Sequence, residues 1–223
     1  MLRFMGQVVF SIGLLLLALL VAVQWVAYDA NFITRELVKL GTGQRLGLSL
    51  EEIAKYSAHT SRYLRGLESD PNVKLKLAGG ERWFLNEREV LHMQDVQGLF
   101  FLAKRVASLL LIVLAIVAIF YYRADKLEHF YGQLLTGAIG ALLLGLLLAF
   151  TISRDFNQSF TLFHHLSFDN DLWLLDPATD LLIRLLPEVF FANAALQIGL
   201  RGAGLCLTLA ASSYFLKSKR VGF

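Results

Sequence analysis

Four stretches of the chain are almost free of charge: residues 8–28, 106–122, 134–152 and 189–215. A helix rises about 1.5 Å per residue, so about 20 apolar residues cross a hydrocarbon layer about 30 Å thick. The pattern predicts an all-α membrane protein with four transmembrane helices, a single membrane domain over residues 1–223. The first run exceeds the apolar core of a cleavable signal, about 7 to 15 residues, and no small-x-small site follows it. It reads as a retained anchor, with Gln24 and Trp25 at its far interface.

The two long polar connections, residues 29–105 and 153–188, carry shorter periodic segments. Ser49 with Glu52 forms a capping box ahead of apolar Ile53, Tyr56, Tyr63 and Leu64, so a helix is expected there. His59 falls on its polar face as a solvated residue. Alternation over residues 73–77, a break at Gly79 and Gly80, and the run 82–85 suggest a short hairpin. Such a hairpin needs a surface to lie on, a helix or lipid headgroups with Trp83 and Phe84 dipping in. Asn86 and Glu89 make a second capping box, and Val90, Met93, Val96, Leu99 and Phe100 follow at helical spacing, so this helix runs on into the second span. The first connection is thus a small α subdomain with a short β piece. The second is partly helical, opening on Phe156, Phe160 and Phe163 and starting a helix at Asp176-Pro177. His129 belongs to the short polar turn 123–133, and Gly137, Gly140 and Gly145 offer close helix contacts in the third span.

Composition agrees with the pattern: 56% of residues are apolar and 17% charged, with a net charge of +3. Basic residues are not gathered into a patch interleaved with aromatics, so nucleic acid is not an expected partner. The sole cysteine, Cys206, lies in an apolar run as a small buried residue, which excludes an intramolecular disulfide. Arg3 before the first span and Lys217, Lys219 and Arg220 after the last place both termini in the cytoplasm. Both long connections then face outward.

That topology gathers His92, Asp95, His164 and His165 in one compartment. Imidazole, with an ordinary pKa near 6.5, suits general acid–base work at neutral pH. Asp95, three residues after His92 on the same helix face, is placed to fix its tautomer. The chain has no nucleophile elbow, zinc-protease helix or P-loop, and Ser167 is a serine without a signature. A zinc site built from His92, His164, His165 and an aspartate is a rival reading, although neighbouring helical histidines diverge by about 100°. A non-enzymatic lipid-binding adaptor, with interfacial histidines bonded to headgroups, is another. Lys104 and Arg184 read as interfacial anchors, and Arg201 inside the last span as a structural ion pair.

At these same stretches the sequence resembles a family of four-span bacterial membrane proteins, the lipoprotein intramolecular transacylases. The matching residues are Arg88, Glu89, His92, Met93, Asp95 and Val96, then Phe163, His164, Phe168, Asn170, Asp171, Trp173, Asp176, Pro177, Asp180, Leu182, Ile183, Arg184 and Pro187. The resemblance implies an acyltransferase without cofactor or metal, working as a monomer on diacylglyceryl lipoproteins in membrane lipid. It would move the sn-2 acyl chain to the α-amino group of the same cysteine, giving the lyso form. His92 and His164 match its two essential histidines, while His165 is an extra neighbour that leaves the second assignment open. Asp95, His165, Asn170, Trp173, Asp180 and Arg184 are the expected supporting residues, with Asn170 or the Trp173 indole as oxyanion donor.

Overall fold

The structure is a computed structural model that describes residues 2–77 and 79–221. The side chain of Arg3, on which part of the expected orientation rests, lies outside the described residues, as does Ala78 in the hairpin turn. The chain runs α1 (Leu2–Ala27), α2 (Ala30–Leu40), α3 (Thr42–Arg45), α4 (Leu50–Leu64), β1 (Lys74–Leu77), β2 (Gly80–Trp83), α5 (Glu87–Arg123), α6 (Leu127–Arg154), α7 (Phe156–Ser167), α8 (Leu181–Leu185) and α9 (Glu188–Val221). Among the described residues four helices are long and apolar enough to cross a membrane: Phe4–Ala27, Glu87–Arg123, Leu127–Arg154 and Glu188–Arg220. The protein is an all-α membrane protein with one small hairpin.

Its contacts divide into two compact units. The first comprises residues 1–23, 103–154 and 197–223, the spanning parts of the helices. Small residues set its spacing. A β-carbon on Gly137 would stand 2.6 Å from the Phe10 ring, and one on Gly140 would collide with the Ser11 hydroxyl, so α1 and α6 approach as closely as glycine allows. Cys206 is buried beside Leu14, Ala18 and Ala141, as a small core residue. The turn before α6 is shorter than the polarity suggests. Leu127 already opens the helix, so His129 is an exposed first-turn residue and not a loop residue.

The second unit comprises residues 24–102 and 155–196. Asp29 caps α2 by accepting from the Phe32 amide, and Gly41 ends it in the left-handed region at φ +66°. The buried face of α2, Phe32, Ile33, Glu36 and Leu37, lies against α4, whose Ile53, Tyr56, Ser57 and Thr60 point inward. Ser49 caps α4 through the Glu52 amide at 3.2 Å. The Glu52 carboxylate does not return to Ser49, as a full capping box would have it. It accepts from the Lys76 amide at 3.0 Å and ties the hairpin to α4. The hairpin therefore lies on a helix: Leu75 is buried and Phe84 meets the Tyr56 ring edge-on at 5.3 Å. Strand β2 begins at Gly80, where a break was expected, with Leu77 paired to Gly80. His59 is held by the Asp70 carbonyl at 2.9 Å.

The expected continuous helix is present. With 37 residues α5 is about 55 Å long, nearly twice a hydrocarbon core, so its first turns stand outside the spanning part. Its capping box is complete, with Asn86 and Glu89 exchanging amide and side-chain bonds at 2.8 and 2.9 Å. Asp176 does not start α8. It folds a tight turn by accepting the Ala178 amide, and α8 begins at Leu181 with Asp180 at its N-cap. Proline at position 177 thus serves the turn, and Pro187 separates α8 from α9.

Candidate active site

Three elements of the second unit build the site: the first turns of α5, the last turns of α7, and the loop 168–180 between α7 and α8. Asp155 starts α7 by accepting the Gln158 amide, and the Phe168 amide closes it on the His164 carbonyl, which leaves His164 one turn from the end. On a helix, consecutive side chains diverge by about 100°. His164 consequently turns inward, 8% accessible, while His165 stays exposed, and the two cannot serve one pocket. His92, on α5, is as buried as His164 at 8%.

The two buried imidazoles have ring centroids 6.3 Å apart and planes tilted by 30°. That is inside the separation of about 8 Å within which a shared substrate group reaches both rings. Aromatic rings enclose them. Phe168 meets His92 at 5.3 Å and His164 at 5.7 Å. Trp173 stacks on His164 at 4.8 Å, and Phe160 meets it edge-on at 4.4 Å. His165 touches the site only from behind, against the edge of Trp173 at 5.0 Å.

The tautomer of His164 follows from its partner. Its Nδ1 lies 2.7 Å from the Phe160 carbonyl oxygen, and a carbonyl only accepts. Nδ1 therefore donates, and Nε2 keeps its lone pair for the pocket. His92 is different, because its Nδ1 is buried with no hydrogen-bond partner. Burial among rings disfavours the imidazolium and takes His92 down to about 4, the neighbouring His164 adding to the effect and Asp95 opposing it. His164 is also lowered, first by burial, against the Phe160 hydrogen bond that favours its charged form. Both rings are neutral at neutral pH.

The supporting residues do other work than expected. Asp95 was expected to orient His92, but its carboxylate accepts from the Asn170 side-chain amide at 2.9 Å. Asn170 also accepts the Leu172 amide at 3.0 Å, so both ends of its side chain hold the loop, and an oxyanion role is not what its geometry serves. Asp180 is buried and accepts from the Asp176 amide, the Asn86 side chain and the Thr179 hydroxyl. Burial pushes its pKa up, yet these bonds win and hold it below the usual carboxylate range. Arg184 is exposed on α8. Two further contributors were not among the expected supporting residues. Glu89 is 1% exposed and, besides its cap, accepts the Leu182 amide at 2.6 Å, tying α8 to α5. Arg88 donates to the Asp171 carbonyl. The signal for Glu89 was its capping-box position; nothing local marks the second bond, which joins residues 93 apart in sequence. Among the described residues no three His, Cys, Asp or Glu side chains converge as metal ligands.

The family model for the lipoprotein intramolecular transacylase Lit matches residues 8–191. The chain belongs to the Lit family. It is accordingly a membrane acyltransferase of lipoprotein modification. A solved structure of the membrane integral lipoprotein intramolecular transacylase Lit from Bacillus cereus superposes with a TM-score of 0.78 at 25% identity, covering 96% of each chain. A variant of Bacillus cereus Lit with a histidine changed to alanine gives 0.75 at 25% identity and 99% of each chain. One with a histidine changed to arginine gives 0.76 at 24%, covering 100% of this chain and 98% of the other, and bears on the fold alone. No curated protein sequence matches the chain.

Proposed function

We propose that the chain transfers the sn-2 acyl group of a diacylglyceryl lipoprotein to the α-amino group of the same N-terminal cysteine, with His92 and His164 as the catalytic pair. The observation that carries this reading is the pair itself: two buried imidazoles 6.3 Å apart, enclosed by aromatic rings.

An α-amine has a pKa near 8 and is mostly protonated at pH 7, so it first loses one proton to solvent and attacks the ester as the free base. As the amine nitrogen bonds to the ester carbonyl, its proton passes to Nε2 of His164. The tetrahedral carbon then releases the glycerol oxygen, which takes the same proton back from the imidazolium. A resting imidazolium is not required, which fits a pair held neutral by burial. His92 offers a buried Nδ1 whose lost hydration is compensated only when a substrate group reaches it. It hydrogen-bonds to the carbonyl oxygen as charge develops there, a type of contact worth about 3 to 4 kcal/mol. Amine and ester belong to one molecule, so holding them together supplies much of the acceleration.

Both long connections face outward in this reading, the termini are cytoplasmic, the membrane is the bacterial inner membrane, and the working unit is a monomer without nucleic-acid partners. Mass spectrometry of lipoprotein N-terminal peptides from membranes carrying wild type, His92→Ala or His164→Ala tests the chemistry. Lyso-form peptide is expected with wild type and lost in both variants; its full retention in either overturns the assignment.

A further inference from the structure

Arg88, His92 and Asp95 occupy positions i, i+4 and i+7 of α5, one face of the helix. Only the middle one faces His164. The outer two reach the loop that follows α7: Arg88 donates to the Asp171 carbonyl, and Asp95 accepts from the Asn170 side chain at 2.9 Å. The far end of the same loop is held from the same helix end, because Asn86 donates to Asp180 at 2.8 Å and Asp180 accepts the Asp176 amide at 2.7 Å. Between these ties lies Trp173, stacked on His164 at 4.8 Å. The loop is a strap, pinned at both ends to α5 and laid across the second histidine.

We propose that Asp95 and Asn170 form a positioning pair that acts on His164 through this strap, and that Asp95 does not serve as the orienting carboxylate of His92. Three observations carry the assignment. The Asp95 carboxylate is directed at the Asn170 amide. The Nδ1 of His92, the ring atom such a carboxylate would hold, has no partner. Asn170 is exposed, and its own backbone turn through the Leu172 amide leaves its NH2 free for Asp95. With the tie made, Trp173 closes one face of His164 while the Phe160 carbonyl holds its Nδ1, so Nε2 is its single open nitrogen. With the tie broken, the loop keeps one of its two bonds on the α7 side, that from Arg88 to the Asp171 carbonyl, and His164 opens to water and can turn.

This inference rests on the proposed role of the histidine pair, and its test includes a readout independent of that role. Diethyl pyrocarbonate acylates accessible neutral imidazole, and fragment mass spectrometry separates His164 from His165. Asp95→Ala and Asn170→Ala are each expected to speed modification of His164 at least about fivefold, with His165 unchanged, and to lower kcat more than they raise KM. The double variant is expected to match either single one, since both break one interaction. The exchange variant, Asp95→Asn with Asn170→Asp, rebuilds the hydrogen bond with partners reversed and is expected to restore protection of His164 to within about twofold of wild type. Additive effects of the two alanines, Asn170→Ala leaving His164 protected, or failure of the exchange to restore protection overturns the positioning pair. If protection follows this pattern but no lyso-lipoprotein forms in any sample, the positioning pair stands and the acyl-transfer reading falls.

Discussion

The two compact units are built on opposite principles. In the spanning unit, packing is by shape: Gly137 and Gly140 let α1 approach α6, Cys206 fills a gap beside Leu14 and Ala18, and large apolar side chains such as Phe120, Leu143 and Leu146 are exposed, as lipid-facing residues are. In the second unit the joints are polar and directional. Glu52 holds the hairpin, Glu89 holds α8, Asp180 and Asp95 hold the strap, and each accepts a hydrogen bond from a residue distant in sequence. Lipid gives helices no hydrophobic reason to associate, so small residues and close contact do that work there. A unit that must hold two imidazoles at a fixed separation needs bonds with direction, and carboxylates supply them, Glu89 and Asp180 from buried positions.

That contrast can be broken in graded steps. The largest effect falls on chemistry and not on either architecture. His92→Ala and His164→Ala should each lower the transfer rate by at least about a hundredfold, the usual span of positioned acid–base groups, with the thermal unfolding midpoint in detergent held within a few degrees. Next, Glu89→Ala strips the Asn86 and Leu182 amides of their acceptor inside the second unit and should cost about 2 to 4 kcal/mol. Hydrogen exchange should show the loss in residues 24–102 and 155–196, with the spanning segments protected as before. Uniform loss in both units would dissolve the contrast.

A pH series sharpens it further. The unfolded value of His92 is near 6.5 and the folded value about 4, so between these limits the unfolded chain binds a proton that the folded chain refuses. Stability from this residue is intact above about pH 6.5 and falls as pH drops toward 4, by as much as about 3 kcal/mol. His92→Phe should remove that slope, and an unchanged slope would mean that burial of His92 is not its source. Gly137→Leu, in the spanning unit, should cost about 1 to 3 kcal/mol through overlap with Phe10 and Leu14, whereas Gly199→Ala, with open space around it, should cost nothing measurable. The smallest effect is expected of His165→Ala, which should leave transfer within about twofold of wild type.

The spanning unit was the more legible of the two from sequence, because its signal is local: long uncharged runs need no partner to be recognised. The second unit was legible where a cap lies within three residues of what it caps, as at Asn86 and Glu89, and not where a bond crosses the chain. Helix α2, bounded by Asp29 and Gly41, gives a weak sequence signal, since its apolar face is short and mixed with charge. Asp176-Pro177 was read as a helix start because that pairing also opens tight turns; the buried Asp180 took the cap. In the site, both histidines are legible in the sequence, but the choice between His164 and its neighbour depends on the phase of α7, which its aromatic entry does not fix. The true partners of Asp95 and Glu89 lie 75 and 93 residues away, a distance no spacing rule spans.

The bond from His164 Nδ1 to the Phe160 carbonyl has a consequence for the atoms of the reaction. With that nitrogen occupied inside its own helix, the ring has one door, and the proton that enters from the amine leaves by the same route onto the glycerol oxygen. The proposed product is an isomer of the free-base substrate: the ammonium gives up one proton to solvent beforehand, and the transfer itself takes no atom from water and returns none to it. A pocket walled by Phe160, Phe168 and Trp173 suits such a closed exchange, because water, the one small molecule able to divert the acyl group into hydrolysis, has no part to play in it.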